Sequence, residues 1–226
     1  MKAILFGGSG MVGQGVLREC LLDSNVERVL SVVRSAGTQP HSKLAELVGK
    51  DLFDHSDVEF QLTGYDACFF CLGITSSGMT EQEYSHVTYD LTMAAAETLV
   101  RLNPSMTFLY VSGQGTDSSE KGRSMWARVK GKTENALLRL PFKAAYMFRP
   151  GMIQPMHGIQ SKTSSYRVLY AVAKPFLPIL RRLFPQYVTT TELLGRAMLR
   201  VARKGYPKRI LESRDINEAA AAANSV

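Results

Sequence analysis

The sequence predicts an α/β fold, a doubly wound parallel sheet with a small C-terminal extension on the substrate side. Three observations carry the prediction. A short apolar run, Ala3 to Phe6, is followed by Gly7, Gly8, Gly10 and Gly13 and then by a helical apolar face. Apolar runs then alternate with helical stretches along most of the chain, the pattern of parallel strands covered on both faces. No internal repeat or long linker interrupts this alternation. Residues 1–226 therefore read as one domain, with 152–188 an irregular, partly helical insertion on the substrate side.

The first unit is a strand, a glycine turn, a helix carrying Val16, Leu17, Cys20 and Leu21 on one face, and a second strand from Val29 to Val33. Two glycine registers fit, Gly7-x-x-Gly10-x-x-Gly13 and Gly8-x-Gly10-x-x-Gly13. Either lets the chain turn sharply, brings a pyrophosphate close to the backbone, and starts a helix whose free N–H groups face that anion. The second strand ends at Arg34-Ser35, where an acidic residue would grip a ribose hydroxyl. Arginine there suits a 2′-phosphate, hence NADP, with NAD the alternative; a solvated strand end is the plainer reading.

Ser35 to Lys50 reads as a polar connection with a short helix around Leu44 to Val48. Asp51-Leu52 follows a weakly marked third strand, placed either to hold an adenine edge or to cap a helix. Ala67 to Leu72 is the clearest strand and ends at Gly73, where a small residue lets a loop pass a cofactor. A helix, with a possible break, runs from Thr80 to Leu102 and stops at Asn103-Pro104. Met106 to Val111 is a fifth strand, followed by Ser112-Gly113-Gln114-Gly115. A helix from Ser124 to Leu138 and a sixth strand from Ala144 to Phe148 lead to Arg149-Pro150-Gly151, turning over the nicotinamide side. Met152 to Ser165 reads as a loop. Tyr166, Leu169, Tyr170, Val172 and Ala173 have helical spacing and suit the sheet or a substrate pocket. Thr189-x-x-Glu192 reads as the capping box of a last helix to Lys204, and the alanine-rich tail as frayed or disordered.

Composition limits the partners. An apolar content of 45% with 21% charged residues suits a soluble globular domain. The net charge of +7 could attract nucleic acid, but no aromatic-interleaved basic stripe accompanies it; phosphate-bearing small molecules are a sufficient use. Cys68-x-x-Cys71 lies in an apolar strand, where its thiols point to opposite sides, so buried structural cysteine and a reducing, cytoplasmic setting are expected. The N-terminus lacks the features of a signal peptide, and Tyr166 to Phe184 carries four cations and two prolines, unlike a membrane span. His41, His55, His86 and His157 are scattered, without metal-ligand spacing.

Five segments in this order, GGSGMVG, the Arg34 strand end, CFFCLGITSSG, VKGKTE and FRPGMI, give the chain its family likeness. It resembles an atypical, epimerase-like short-chain dehydrogenase/reductase, and most closely the Tat-interacting-protein oxidoreductase subgroup. The resemblance implies a Rossmann fold with NADP(H) at the strand C-termini. The cofactor would meet Gly7, Ser9, Gly10, Met11, Val12 and Gly13 in the turn, then Arg34, Ser35, Asp51 and Leu52. Further contacts would come from Cys71, Leu72 and Gly73, from Val111 and Lys130, and from Arg149, Pro150, Gly151 and Met152.

The family's chemistry uses a tyrosine four residues before a lysine, and a Ser or Thr after strand five to orient the substrate oxygen. This chain supplies Lys130 and Ser112, but Trp126 stands at the tyrosine position, and an indole cannot shuttle a proton near neutrality. Tyr84, Tyr89, Tyr110 and His157 are conceivable substitutes. The expected function is an NADP(H)-dependent oxidoreductase or epimerase-like enzyme on a small carbonyl or hydroxyl compound. The alternative is a non-catalytic dinucleotide-binding redox sensor that acts through a protein partner. A homodimer is compatible with either.

Overall fold

Strand β1 (Lys2–Phe6) sends Ala3 and Leu5 to one face and Ile4 and Phe6 to the other, all four fully buried. A strand buried on both faces belongs in the middle of a sheet. The computed structural model, which describes residues 1–159 and 186–222 apart from 36, 38, 39 and 50, places it there. On one side lie β2 (Arg28–Val33) and then β3 (Leu44–Val48); on the other lie β4 (Ala67–Phe70), β5 (Thr107–Val111) and β6 (Ala144–Arg149). Short strands β7 (Met152–Gln154) and β8 (Val188–Thr190) pair with each other apart from this sheet. β9 (Ile210–Glu212) joins β6 as the seventh strand, and the order is β3-β2-β1-β4-β5-β6-β9, parallel throughout.

The helices form two layers. Helix α1 (Met11–Leu22) starts one layer; α2 (Glu81–Ser85), α3 (Leu91–Leu102) and α4 (Met125–Arg139) form the other; α5 (Thr191–Lys204) and α6 (Ser213–Ala221) return to the first. The chain runs outward from β1 and then crosses back to β4, so a crevice opens between their C-terminal ends. Ligands of open α/β sheets bind at this switch point.

Several expectations are corrected. Leu44–Val48 is a strand, because parallel pairing with β2 from Val29↔Leu44 to Val33↔Val48 outweighs its helical propensity. The break between Thr80 and Leu102 is a π turn over His86–Asp90, joining α2 to α3 without a loop. Thr190, not Thr189, caps α5 by accepting the Leu193 N–H at 3.0 Å, while Thr189 donates to Asn217 Oδ1 at 2.7 Å. Glu192 instead meets His157 and Arg196. Met152–Gln154 is a strand within the expected loop. The tail is ordered through Ala221, since Ala219 and Ala220 are buried against the sheet and Glu212 and Asp215 form a capping box. The apolar stretch Tyr166 to Phe184 lies outside the described residues.

Candidate functional site

The glycine turn is built by exclusion. Gly7 has φ +81°, and a Cβ on it would stand 2.7 Å from the Cys71 carbonyl carbon. A Cβ on Gly13 would stand 2.0 Å from the Gly7 carbonyl oxygen. At Gly8 the nearest obstacle is the Ser31 hydroxyl, a side chain at 2.6 Å. The backbone demand thus falls on Gly7 and Gly13, in the first of the two registers. Gly10 donates its N–H to the Gly7 carbonyl at 2.9 Å and is the N-cap of α1, where no side chain caps the helix. No acidic residue stands in the first turn of α1. Met11 and Val12 send their side chains into the core, so they offer an incoming anion backbone N–H groups only, beside the exposed Ser9.

Around this turn, Cys71 and Leu72 pack on opposite sides of the sheet, and Gly73 faces open space. Val111 is buried at the end of β5. Arg34 and Ser35 are exposed past β2, and Arg34 makes no ion pair among the described residues. A groove of about 270 Å³ runs beside Gly8 and Ser9 and along Ser31, Ser35 and Glu46. The Asp51 carboxylate accepts the Phe53 N–H at 2.8 Å in a local turn, and Leu52 packs against the core on the α3–α4 side. Near them His55 is buried against the Phe6 ring with neither ring nitrogen hydrogen-bonded.

On the other side of the crevice, Lys130 donates from Nζ to the Ser112 carbonyl at 3.0 Å and lies 5.7 Å from the centre of the Tyr110 ring. Burial pushes this ammonium down to about 8, with Glu134 one turn further along α4 acting in the opposite sense. The Ser112 hydroxyl donates to Glu134 rather than standing free to orient a substrate. Arg149, expected in the turn over the nicotinamide side, ends β6 and turns its guanidinium to other partners. Its guanidinium pairs with the fully buried Glu134 through Nε at 3.0 Å, and it donates to Ser118 Oγ at 2.6 Å. Pro150 accepts the Gln114 N–H at 2.9 Å, Gly151 donates to Ser213 Oγ at 2.8 Å, and Met152 is exposed in β7.

Glu134 is the residue that sequence reasoning missed. It lies in the VKGKTE segment one helical turn after Lys130, spacing that puts both on one face of α4.

The larger groove, about 590 Å³, lies between α2, the π turn and α4 and contains none of these residues. Its charges are largely paired: Arg128 with Glu81, His86 with Asp90, and Lys132 over the Tyr89 ring. That leaves the crevice as the candidate site. Among the described residues no cluster of His, Cys, Asp and Glu could hold a metal, and no helix is long and apolar enough to cross a membrane.

No family model matches the chain. It is 27% identical over 162 residues to the mitochondrial protein FMP52 of Meyerozyma guilliermondii, covering 68% of this chain and 65% of that protein. It is 28% identical over 156 residues to Protein HTATIP2 of Rattus norvegicus, covering 67% and 62%. The matches thus span less than two thirds of these relatives' own lengths. Fungal relatives bear a mitochondrial name, among them that of Emericella nidulans at 28% identity, which overturns the cytoplasmic setting expected from the cysteines.

Among solved structures, the Bordetella bronchiseptica enzyme WbmF in complex with NAD+ superposes with a TM-score of 0.67 at 16% identity, over 99% of this chain and 77% of that one. A short-chain dehydrogenase/reductase-family oxidoreductase from Burkholderia thailandensis gives 0.66 at 14% identity, over 96% and 92%. UDP-glucose 4-epimerase of Thermotoga maritima gives 0.65 at 13% identity, over 100% and 82%. The chain thus has a Rossmann fold of the kind seen in short-chain dehydrogenases/reductases and nucleotide-sugar epimerases, and its sequence is similar to FMP52 and HTATIP2.

Proposed function

We propose that the chain is an NAD(P)-binding oxidoreductase that prefers NADP(H) and acts on a small carbonyl or hydroxyl compound. The observation that carries this reading is the pairing of an uncapped α1 N-terminus behind Gly7 and Gly13 with Lys130 across the same crevice. The turn would hold the pyrophosphate, Arg34 and Ser35 the 2′-phosphate, and Asp51 and Leu52 the adenine side. Cys71 to Gly73, Val111, Lys130 and the Pro150–Met152 turn would line the rest. When bound, the nicotinamide supplies or accepts a hydride. The protein's own part is to orient the substrate, exclude water and manage one proton. The neighbour WbmF, solved with NAD+ and with NADH, supports a dinucleotide at this place in the fold. A mitochondrial setting follows the relatives' names.

A second reading, a redox-sensing regulator that binds the dinucleotide without turnover, is favoured by Trp126 at the position of the family's tyrosine.

Calorimetric titration with NADPH and NADH tests both readings. We expect saturable binding, tighter for NADPH, and a loss of about tenfold or more in NADPH affinity for Arg34→Ser with NADH unchanged. Equal affinities would remove the NADP preference alone. Binding of neither would overturn the function. Binding without turnover on any carbonyl compound would favour the regulator.

A further inference from the structure

We propose that Lys130 is itself the proton donor of this site, taking over the step that a tyrosine performs where Trp126 stands. The inference rests on the oxidoreductase reading above and adds the residue that completes its chemistry.

The four substitutes named from the sequence, Tyr84, Tyr89, Tyr110 and His157, are engaged elsewhere. Tyr84 and Tyr110 lie inside the core, and burial raises both phenols above their ordinary range. Tyr89 lies under the Lys132 ammonium in the outer groove, 4.2 Å from Nζ to ring centre. His157 is bonded to Glu192 at 2.6 Å, in the α1–α5 layer across the sheet from α4. Ser112 and Glu134 bond each other, and Glu134 is held by Arg149.

Lys130 is different. An ammonium has three N–H donors, and only one is committed among the described residues, to the Ser112 carbonyl. Among the described residues no carboxylate makes an ion pair with it. The charged and titratable groups around it are Glu134 on its own helix, Tyr110 on β5 with Tyr84 behind it, and Arg149 on β6. Arg149 offsets the Glu134 charge and itself faces Glu212 at 3.6 Å. An ammonium withdrawn from water, with its nearest carboxylate already paired to an arginine, gives up a proton more readily than a surface lysine. A donor that titrates near the working pH is the effective general acid.

The step balances. Hydride from the reduced nicotinamide adds to the carbonyl carbon, and the C=O π pair moves to oxygen. That oxygen forms an O–H bond with a proton from Lys130 Nζ as one N–H bond breaks. The neutral amine then regains a proton from water. In the reverse direction the neutral amine takes the hydroxyl proton, so alcohol oxidation rises with pH where carbonyl reduction falls.

The first test needs no turnover: the 13Cε resonances of lysine-labelled protein, with Lys130 assigned by its loss in Lys130→Arg, are followed against pH. A Lys130 midpoint near 8 is expected; one at the ordinary lysine value, above 10, would overturn the proposal alone.

The second test uses Lys130→Arg, which keeps the cation but cannot release a proton. At NADPH concentrations that saturate the variant by calorimetry, NADPH-driven reduction of a carbonyl panel should fall by about 10² to 10⁴. Adding Trp126→Tyr to Lys130→Arg should recover at least tenfold of it. Wild-type turnover and pH profile in Lys130→Arg, or binding with no carbonyl reduction by the wild type, would overturn the proposal. Failure of the wild type to bind NADPH or NADH would overturn the functional reading, and the proposal with it.

Discussion

Glu134 shows how one buried carboxylate can organise a site it does not chemically enter. It receives the Ser112 hydroxyl and the Arg149 guanidinium while fully buried, tying the loop after β5 to the end of β6. Removing one member of such a pair costs more than removing both, because the survivor is left as an uncompensated charge. Glu134→Gln should lower stability by about 3 kcal/mol, read as a drop in the urea midpoint. Adding Arg149→Met should recover part of that loss, and a single variant as stable as the wild type would contradict the account. Glu134 was hard to see in the sequence because nothing there distinguishes a buried glutamate from a solvated one. The glycine turn was legible because steric exclusion at Gly7 and Gly13 leaves only one residue type possible. Arg149 was legible only in part: its place at a strand end is a matter of sequence, but its partner Glu134 comes from another element.

At the scale of elements, the strands were legible wherever an apolar run was fully buried, as at Ala3 to Phe6 and Ala67 to Phe70. Edge elements were not. β3 is half exposed, and its only strand signal is the neighbour it pairs with. β9 has three residues and stays on the sheet through β6 and the capping of α6. The packing of α1 on α5 was equally hidden, although glycines on both helices bring it about. A Cβ on Gly15 would stand 2.7 Å from the Thr191 carbonyl oxygen, and one on Gly195 would stand 3.0 Å from the Gly15 carbonyl oxygen. Alanine favours a helix over glycine by about 1 kcal/mol, so propensity alone predicts that Gly15→Ala stabilises. Close packing predicts the reverse, a loss of about 1–3 kcal/mol, because backbone cannot retreat as a side chain can. Thermal unfolding of this one variant decides between them by its sign.

Across the whole molecule, the helix proposed to face the phosphates is backed by a helix from the far end of the chain. Glu19 on α1 accepts from Arg196 on α5 at 3.2 Å, across 177 residues of sequence, and Arg203 reaches Asp23 at 2.7 Å. Contacts so distant in sequence close large loops, and topologies rich in them fold slowly. The turn that opens α1 therefore has to wait for α5, far downstream of it, before α1 is held in place. Refolding in the presence of NADPH should show cofactor capture only with the last kinetic phase, when the far helix docks. Capture in an early phase would mean that the first strand, turn and helix suffice by themselves. In the growing polypeptide, the same delay would leave the phosphate-facing turn incompetent until the distant helix that backs it had also been made.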